Sequence, residues 1–129
     1  MAEKFTFRID RAHGLVRIAM HGFYDVQDVA AFFEARRTAH AELGLPPNRH
    51  LTLNDLRGMQ VQKQEVIEAF QKGLAAPEEK ARKLAIVVDA AMARGQASRA
   101  IDAADTRYFT DVAEAEAWLL AGEDDRAAA

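Results

Sequence analysis

The sequence predicts a single α/β domain, a mixed β-sheet covered by helices, with the element order ββαβαβαβα. Short segments with apolar residues in alternating or continuous order follow one another along the chain, separated by longer segments with helical apolar spacing. No internal repeat and no linker long enough to divide domains interrupts the 129 residues, a length that suits one hydrophobic core. Because helical crossovers return the chain in the same direction, we expect the later strands to be parallel.

The first two predicted strands form an antiparallel hairpin. The segment KFTFRI, residues 4–9, places its two phenylalanines and its isoleucine on one face. A polar turn with Gly14 separates it from LVRIAM, residues 15–20, and such close strands pair with each other. An exposed edge strand of this hairpin is able to pair with a second copy of the chain, so a homodimer is one expectation.

The rest of the chain alternates helix and strand. The first predicted helix is capped by Asp25 and is ended by Gly44 and the prolines after it. We predict the other elements in this order: a short strand at 51–53 that ends at 54–55, a loop at 56–59, a helix at 62–75, a buried strand at 84–88, a helix at 90–104, a strand at 107–109 and a closing helix after Asp111.

The domain is expected to occupy residues 1–122, followed by a disordered C-terminal tail at 123–129. The helix stripes must cover the apolar strands, so four large side chains are expected to be largely buried: Phe33, Ile86, Val87 and Trp118.

Composition excludes several classes of protein. Half of the residues are apolar, too many for a mainly disordered chain, and the formal net charge of −3 provides no basic field for nucleic acid. The sequence has no cysteine, which excludes disulfides, thiolate metal sites and a cysteine nucleophile. No apolar segment is long enough to span a bilayer. We therefore expect a soluble cytoplasmic domain without a membrane span.

Four segments together resemble a known family. GLVRIAMHG leading into a capped helix, LTLNDLRGM, KLAIVV and the ending RYFTDVAEAEAWL are similar to the SpoIIAA-like proteins of the STAS (STAS/SEC14-like) superfamily. The resemblance spans residues 5–120 and implies a small bacterial domain with a mixed sheet and covering helices. It implies a regulatory module that binds other proteins, and a comparison of other branches with lipid-binding CRAL-TRIO domains implies ligand binding as an alternative.

The resemblance also identifies a loop of interest, because in anti-sigma antagonists the loop after the third strand carries a phosphorylatable serine. The equivalent residues here, 54–60, contain no serine or threonine, and the single serine of the chain is Ser98. We therefore expect no phosphorylation switch at this position.

The same loop is the principal candidate site. It leaves the carboxyl end of a strand and enters a helix, where α/β folds commonly bind ligands. Backbone N–H groups there are able to bind an anion, although aspartate and glycine are also ordinary turn residues. We predict that a protein partner or a ligand contacts this loop through five residues: Asn54, Asp55, Arg57, Gly58 and Met59.

Arg36 and His40 are secondary candidates, one helical turn apart on an otherwise apolar arc. At a pocket lip they could bind an acid or a phosphate. The alternative, which we favour at this stage, places the Arg36 stem along the edge of the core with its charged end in solvent.

No catalytic constellation emerges from the sequence. Ser98 lacks the turn of a nucleophilic serine, and no two of the four histidines have the close spacing of metal ligands, although His21 and His50 could meet in space. We expect no metal, no cofactor and no enzymatic activity. The leading hypothesis is a non-enzymatic STAS-like protein-interaction module, and the alternative is a carrier or sensor of a small apolar or anionic ligand.

Overall fold

The computed structural model of the protein describes residues 4–45, 49–59, 62–75, 81–89 and 106–128. Five strands and three helices lie within these ranges. In chain order they are β1 (Phe5–Asp10), β2 (Leu15–Gly22), α1 (Val26–Leu43), β3 (Leu51–Met59), α2 (Gln64–Ala75), β4 (Lys83–Val87), β5 (Thr106–Phe109) and α3 (Val112–Ala128). The helix expected at 90–104 lies outside the described residues.

The five strands form one mixed sheet in the order β1-β2-β3-β4-β5. β1 pairs antiparallel with β2, whereas β2, β3, β4 and β5 are parallel to their neighbours. The chain therefore makes one hairpin and then adds each further strand on the same side through crossovers. This arrangement confirms the predicted single α/β domain with a mixed sheet.

Local sequence signals determine where α1 begins and ends. The Asp25 side chain accepts a hydrogen bond from the Asp28 backbone N–H, and the Asp28 side chain accepts one from the Asp25 backbone N–H, which is a complete capping box. Gly44 ends the helix in the left-handed conformation, with φ of 77°. Val29, Phe32 and Phe33 of the predicted apolar stripe are buried.

Each face of the sheet has its own apolar cluster. On one face, Val16, Ile18 and Met20 of β2 pack with the buried side chains of α1 and with Val66 of α2. On the other face, Ala115 and Leu119 of α3 pack on residues of β2, β3 and β4: Leu15, Leu51, Leu53, Ala85 and Val87. Because side chains alternate along a strand, β2 and β3 contribute to both faces.

The predicted core is largely confirmed. Phe33, Ile86 and Val87 are buried, whereas Trp118 is only half-buried at the edge of the α3 cluster. No helix in the described ranges is long and apolar enough to cross a membrane.

Two predicted boundaries are wrong. Residues 56–59 do not form a loop but continue β3, because Gly58 and Met59 pair with His21 and Gly22 of β2. The backbone of α3 is helical through Ala128, so the tail expected at 123–129 is helical over most of its length. Its alanine, glutamate and arginine residues are good helix formers, and Gly122 alone does not end the helix.

Candidate functional site

The principal candidate site is part of the sheet. Asn54 is buried in the middle of β3, and Asp55 lies next to it on the opposite face. Ala19 pairs with Asp55 while His21 pairs with Gly58, so β3 carries one residue more than β2 over this stretch. This register shift, typical of a β-bulge, displaces Arg57 toward solvent, where 48% of its side chain is exposed.

Arg57 is neutralised by its own strand. Its Nε and Nη2 donate to the two carboxylate oxygens of Asp55 at 2.9 and 2.8 Å, and its backbone N–H donates to the same carboxylate. This guanidinium lowers the pKa of the Asp55 carboxyl, and Asp55, with a smaller effect from Asp111, raises the pKa of Arg57. With two carboxylates near it, Arg57 is poorly placed to attract an anion.

Gly58 and Met59 have packing roles. A Cβ at position 58 would lie 2.6 Å from Nδ1 of His21 and 3.0 Å from the carbonyl oxygen of Met20, so only glycine allows β2 this close. Met59 is half-buried against the cluster under α1 and α2. Of the five predicted site residues, Arg57 and Gly58 are exposed, and Arg57 is the one whose side chain extends into solvent.

A different set of polar residues comes from α1 and from the segment 50–54, on one face of the sheet. We call it the polar cluster, and it consists of Arg36, His40, His50, Thr52 and Asn54. The ring centroids of His40 and His50 are 4.0 Å apart. Arg36 is 2% exposed, so the interpretation that its charged end reaches solvent is wrong. His50 lies beside His40 and not beside His21, which packs on Gly58.

Burial controls the charge state of the two imidazoles. It lowers the pKa of His40 to about 3, with further contributions from the charges of His50 and Arg36. It lowers the pKa of His50 to about 4, again with a contribution from the Arg36 charge. Both rings are therefore neutral at neutral pH, and Arg36 is the positive charge of the polar cluster.

Three buried side chains of the polar cluster have hydrogen-bonding atoms without a partner among the residues that the structure describes. They are Nε2 of His50, Oγ1 of Thr52 and Oδ1 of Asn54, on residues that are 2%, 0% and 8% exposed. Leu51 and Leu53 point toward α3, so the alternating Thr52 and Asn54 lie on the opposite face of the sheet. Buried polar atoms nearly always have partners, so three on one strand face require an explanation.

Apolar side chains flank this polar row on both neighbouring strands. Thr52 pairs in register with Val16 of β2 and Leu84 of β4, and Asn54 pairs with Ile18 and Ile86. The middle strand β3 thus carries polar side chains at positions where its neighbours, β2 and β4, carry apolar side chains. Of these six side chains, all except that of Leu84 are buried.

The sequence analysis identified Arg36, His40 and Asn54 but missed His50 and Thr52. A signal was present in LTLN, residues 51–54, where leucines alternate with polar residues. Alternation usually indicates a solvated face, but a middle strand of an α/β sheet is covered on both faces, so its polar residues must be buried. Contact between His40 and His50 depends on the fold and has no local signal.

The structure shows no group of three or more histidine, cysteine, aspartate or glutamate residues arranged to hold a metal ion within the described ranges. Ser98 lies outside those ranges.

The fold is shared with a solved structure. The chain is similar to the crystal structure of an uncharacterized protein from Shewanella loihica PV-4, of the DUF3478 family with a SpoIIAA-like fold. The TM-score is 0.69 at 16% sequence identity, over 92% of this chain and 96% of that chain. No protein-family model and no curated protein matches the sequence. The chain therefore has a SpoIIAA-like fold, which confirms the fold that the resemblance implied.

Proposed function

We propose that the protein is a non-enzymatic binding module, a carrier or sensor, that takes up a small molecule with an anionic group and an apolar body at the polar cluster. The observation that supports this proposal is the row of buried hydrogen-bonding atoms on His50, Thr52 and Asn54 that have no partner in the described part of the chain. The segment expected to bind a protein partner as a loop is a paired strand, which supports placing the ligand hypothesis before the partner hypothesis.

The chemistry of the polar cluster favours an anionic group. Arg36 brings a permanent positive charge, and its guanidinium is suited to a carboxylate or a phosphate. The neutral His50 ring and the Thr52 hydroxyl are both able to donate a hydrogen bond to an anion. The apolar flanks of the row, such as Ile18 and Ile86, suit the hydrocarbon part of the molecule.

Binding without conversion fits these side chains better than catalysis. An imidazole whose pKa lies near 3 or 4 is a weak base at neutral pH, whereas a general base works best with a pKa near the operating pH. None of the five residues that define the polar cluster is a carboxylate or a thiol that could assist it.

The test uses Thr52→Val, which removes one unpartnered hydroxyl at nearly constant volume. Decanoate is the probe with both an anionic group and an apolar body, and inorganic phosphate is the probe with the anionic group alone. We expect decanoate to bind the wild-type protein and to bind Thr52→Val about tenfold more weakly, because one hydrogen bond to a charged group is lost. Calorimetric titration measures both affinities.

The same variant has an opposite effect on the free protein. Removing a buried hydroxyl without a partner should raise the free energy of unfolding by about 1–2 kcal/mol. The matched control is Thr38→Val, since the Thr38 hydroxyl is exposed and bonds only to its own helix. Equal decanoate affinity in wild type and Thr52→Val, or no binding of either probe by the wild type, would contradict the proposal.

A protein partner is the second candidate function, and one observation favours it. A cleft of about 260 Å³ lies near the ends of β2, α1 and α2, lined by residues that include Phe23, Tyr24 and Gln62. The Gln62 side chain connects two backbone positions of the cleft. Its Nε2 donates to the Gly22 carbonyl, and its Oε1 accepts from the Tyr24 backbone N–H. Phe23 stands beside it with 65% of its surface exposed, which is typical of a contact residue.

This candidate is tested by affinity capture from the source cell with Phe23→Ala and, as a control, Ala30→Ser on the exposed side of α1. We expect the partner to be lost only from Phe23→Ala, with both variants as stable as the wild type. Retention of the partner by Phe23→Ala would exclude this surface.

A further inference from the structure

We propose that β1 pairs with β1 of a second copy of this chain, antiparallel and centred on Phe7, so that two sheets join into one ten-stranded sheet. This inference concerns the open edge of the sheet and is independent of the polar cluster. Within the described residues β1 pairs with β2 alone, so its other edge faces away from the sheet.

The edge is regular and complete, unlike the short or distorted edges that prevent association. All six residues of β1 pair with β2 in unbroken register, without bulge, proline or glycine. The His21 N–H donates to the Lys4 carbonyl, so Lys4, Thr6 and Arg8 direct their backbone groups to β2. Phe5, Phe7 and Ile9 therefore direct their N–H and C=O groups outward.

Two-fold symmetry limits the possible registers. In an antiparallel pair of identical strands, opposed side chains share a face, so the residue at the centre must oppose its own copy. Centring on Thr6 would oppose Lys4 with Arg8, and centring on Arg8 would oppose two copies of Arg8, so both registers place like charges together.

Centring on Phe7 avoids both like-charge pairs. Arg8 then opposes Thr6, and Lys4 lies before β1, where its ammonium donates to Asp28 of α1. On the other face, Phe5 opposes Ile9 and Phe7 opposes Phe7. These three side chains are only half-buried in one chain, where they pack on the cluster under α1, so pairing would cover more of their apolar surface.

A charge exchange at exposed positions tests the register. Thr6→Lys places a lysine opposite Arg8 twice in the dimer, and Thr6→Lys with Arg8→Glu replaces both repulsions with opposite charges. We expect the first variant to raise the dimer dissociation constant about tenfold and the double variant to restore it to within about threefold of wild type. Thr38→Lys, at an exposed position of α1, is the control for the added positive charge.

Sedimentation equilibrium measures these constants, and hydrogen exchange locates the interface. In the wild-type dimer the amides of Phe5 and Phe7 should exchange more slowly as concentration rises, because they form hydrogen bonds only between copies. The Thr6 amide, already paired with β2, should not change. A wild-type chain that stays monomeric at about 100 μM, well above common cellular concentrations, would overturn the proposal. A dimer whose Phe5 and Phe7 amides are unprotected, or in which Thr6→Lys strengthens association, would also overturn it.

Discussion

His40 and His50 are neutral in the folded protein because burial beside Arg36 disfavours their charged forms. In the unfolded chain each imidazole returns to a pKa of about 6.5. Above pH 6.5 the rings are neutral in both states, and their contribution to stability is fully present. Below it the unfolded chain binds protons that the folded protein does not, so this contribution is lost as the pH falls toward 4.

We therefore predict that the free energy of unfolding decreases by about 1–2 kcal/mol per buried imidazole between pH 7.5 and pH 5. Most carboxylates titrate below this window, which isolates the histidine effect. Urea unfolding at several pH values measures the slope, and His50→Gln should reduce it. The control is His21→Gln, because the side chain of His21 is exposed. An equal slope in His50→Gln and wild type would show that His50 is accessible to protons in the folded state.

At the scale of the elements, α2 packs against α1 through a glycine. A Cβ at Gly73 would overlap several carbon atoms of the Phe33 ring, which is buried. Glycine inside a helix normally costs about 1 kcal/mol relative to alanine, so Gly73 has a packing reason to be there. The close approach of the two helices also brings Phe70 near the rings of Phe32 and Phe33.

Gly73→Ala should therefore destabilise the protein by about 1–3 kcal/mol, against its helix propensity, because the Phe33 ring must move. Phe33→Leu removes the overlapping atoms, so the two changes together should cost less than the sum of their separate effects. Chemical denaturation of the four members of this cycle gives the coupling, and Gln71→Ala, exposed on the same helix, is the control. A stabilised Gly73→Ala would mean that α1 and α2 are less closely packed.

How much the sequence reveals differs between elements for physical reasons. The start of α1 could be predicted because Asp25 and Asp28 are local capping residues. The end of β3 could not, because Gly58 and Met59 become strand only by pairing with β2. The candidate site follows the same rule. Arg36 and His40 share a helical arc and were visible in the sequence, whereas the contact of His40 with His50 depends on the tertiary fold.

At the scale of the whole molecule, one sheet supports two apolar clusters that have no side chain in common. Neighbouring residues of one strand, such as Leu15 and Val16, belong to opposite clusters. Arg17 adds a polar connection across the α3 face, since it donates to Asp10 of β1 and to Glu116 of α3. Unfolding of the cluster on one face must therefore disturb strands that also contribute side chains to the cluster on the other face.

We predict that both faces unfold together, even when one of them is weakened. Trp118, the single tryptophan, lies against Phe109 and under the Lys83 ammonium, so its fluorescence reports the α3 face, while far-UV circular dichroism reports the whole fold. Leu119→Ala in the α3 cluster should cost about 2–5 kcal/mol and Phe32→Ala on the opposite face about 3–5 kcal/mol. In both variants the two signals should give the same urea midpoint.

The control for these substitutions is Ala117→Ser, which is exposed and next to Trp118, and should leave both midpoints within about 0.5 kcal/mol of wild type. The decisive comparison is Leu119→Ala. If its fluorescence changed at lower urea than its circular dichroism, α3 would detach from a sheet that α1 and α2 keep folded. Coincident midpoints are expected instead, because β2 supplies Leu15 to the face under α3 while its alternate residues, Val16, Ile18 and Met20, belong to the cluster under α1.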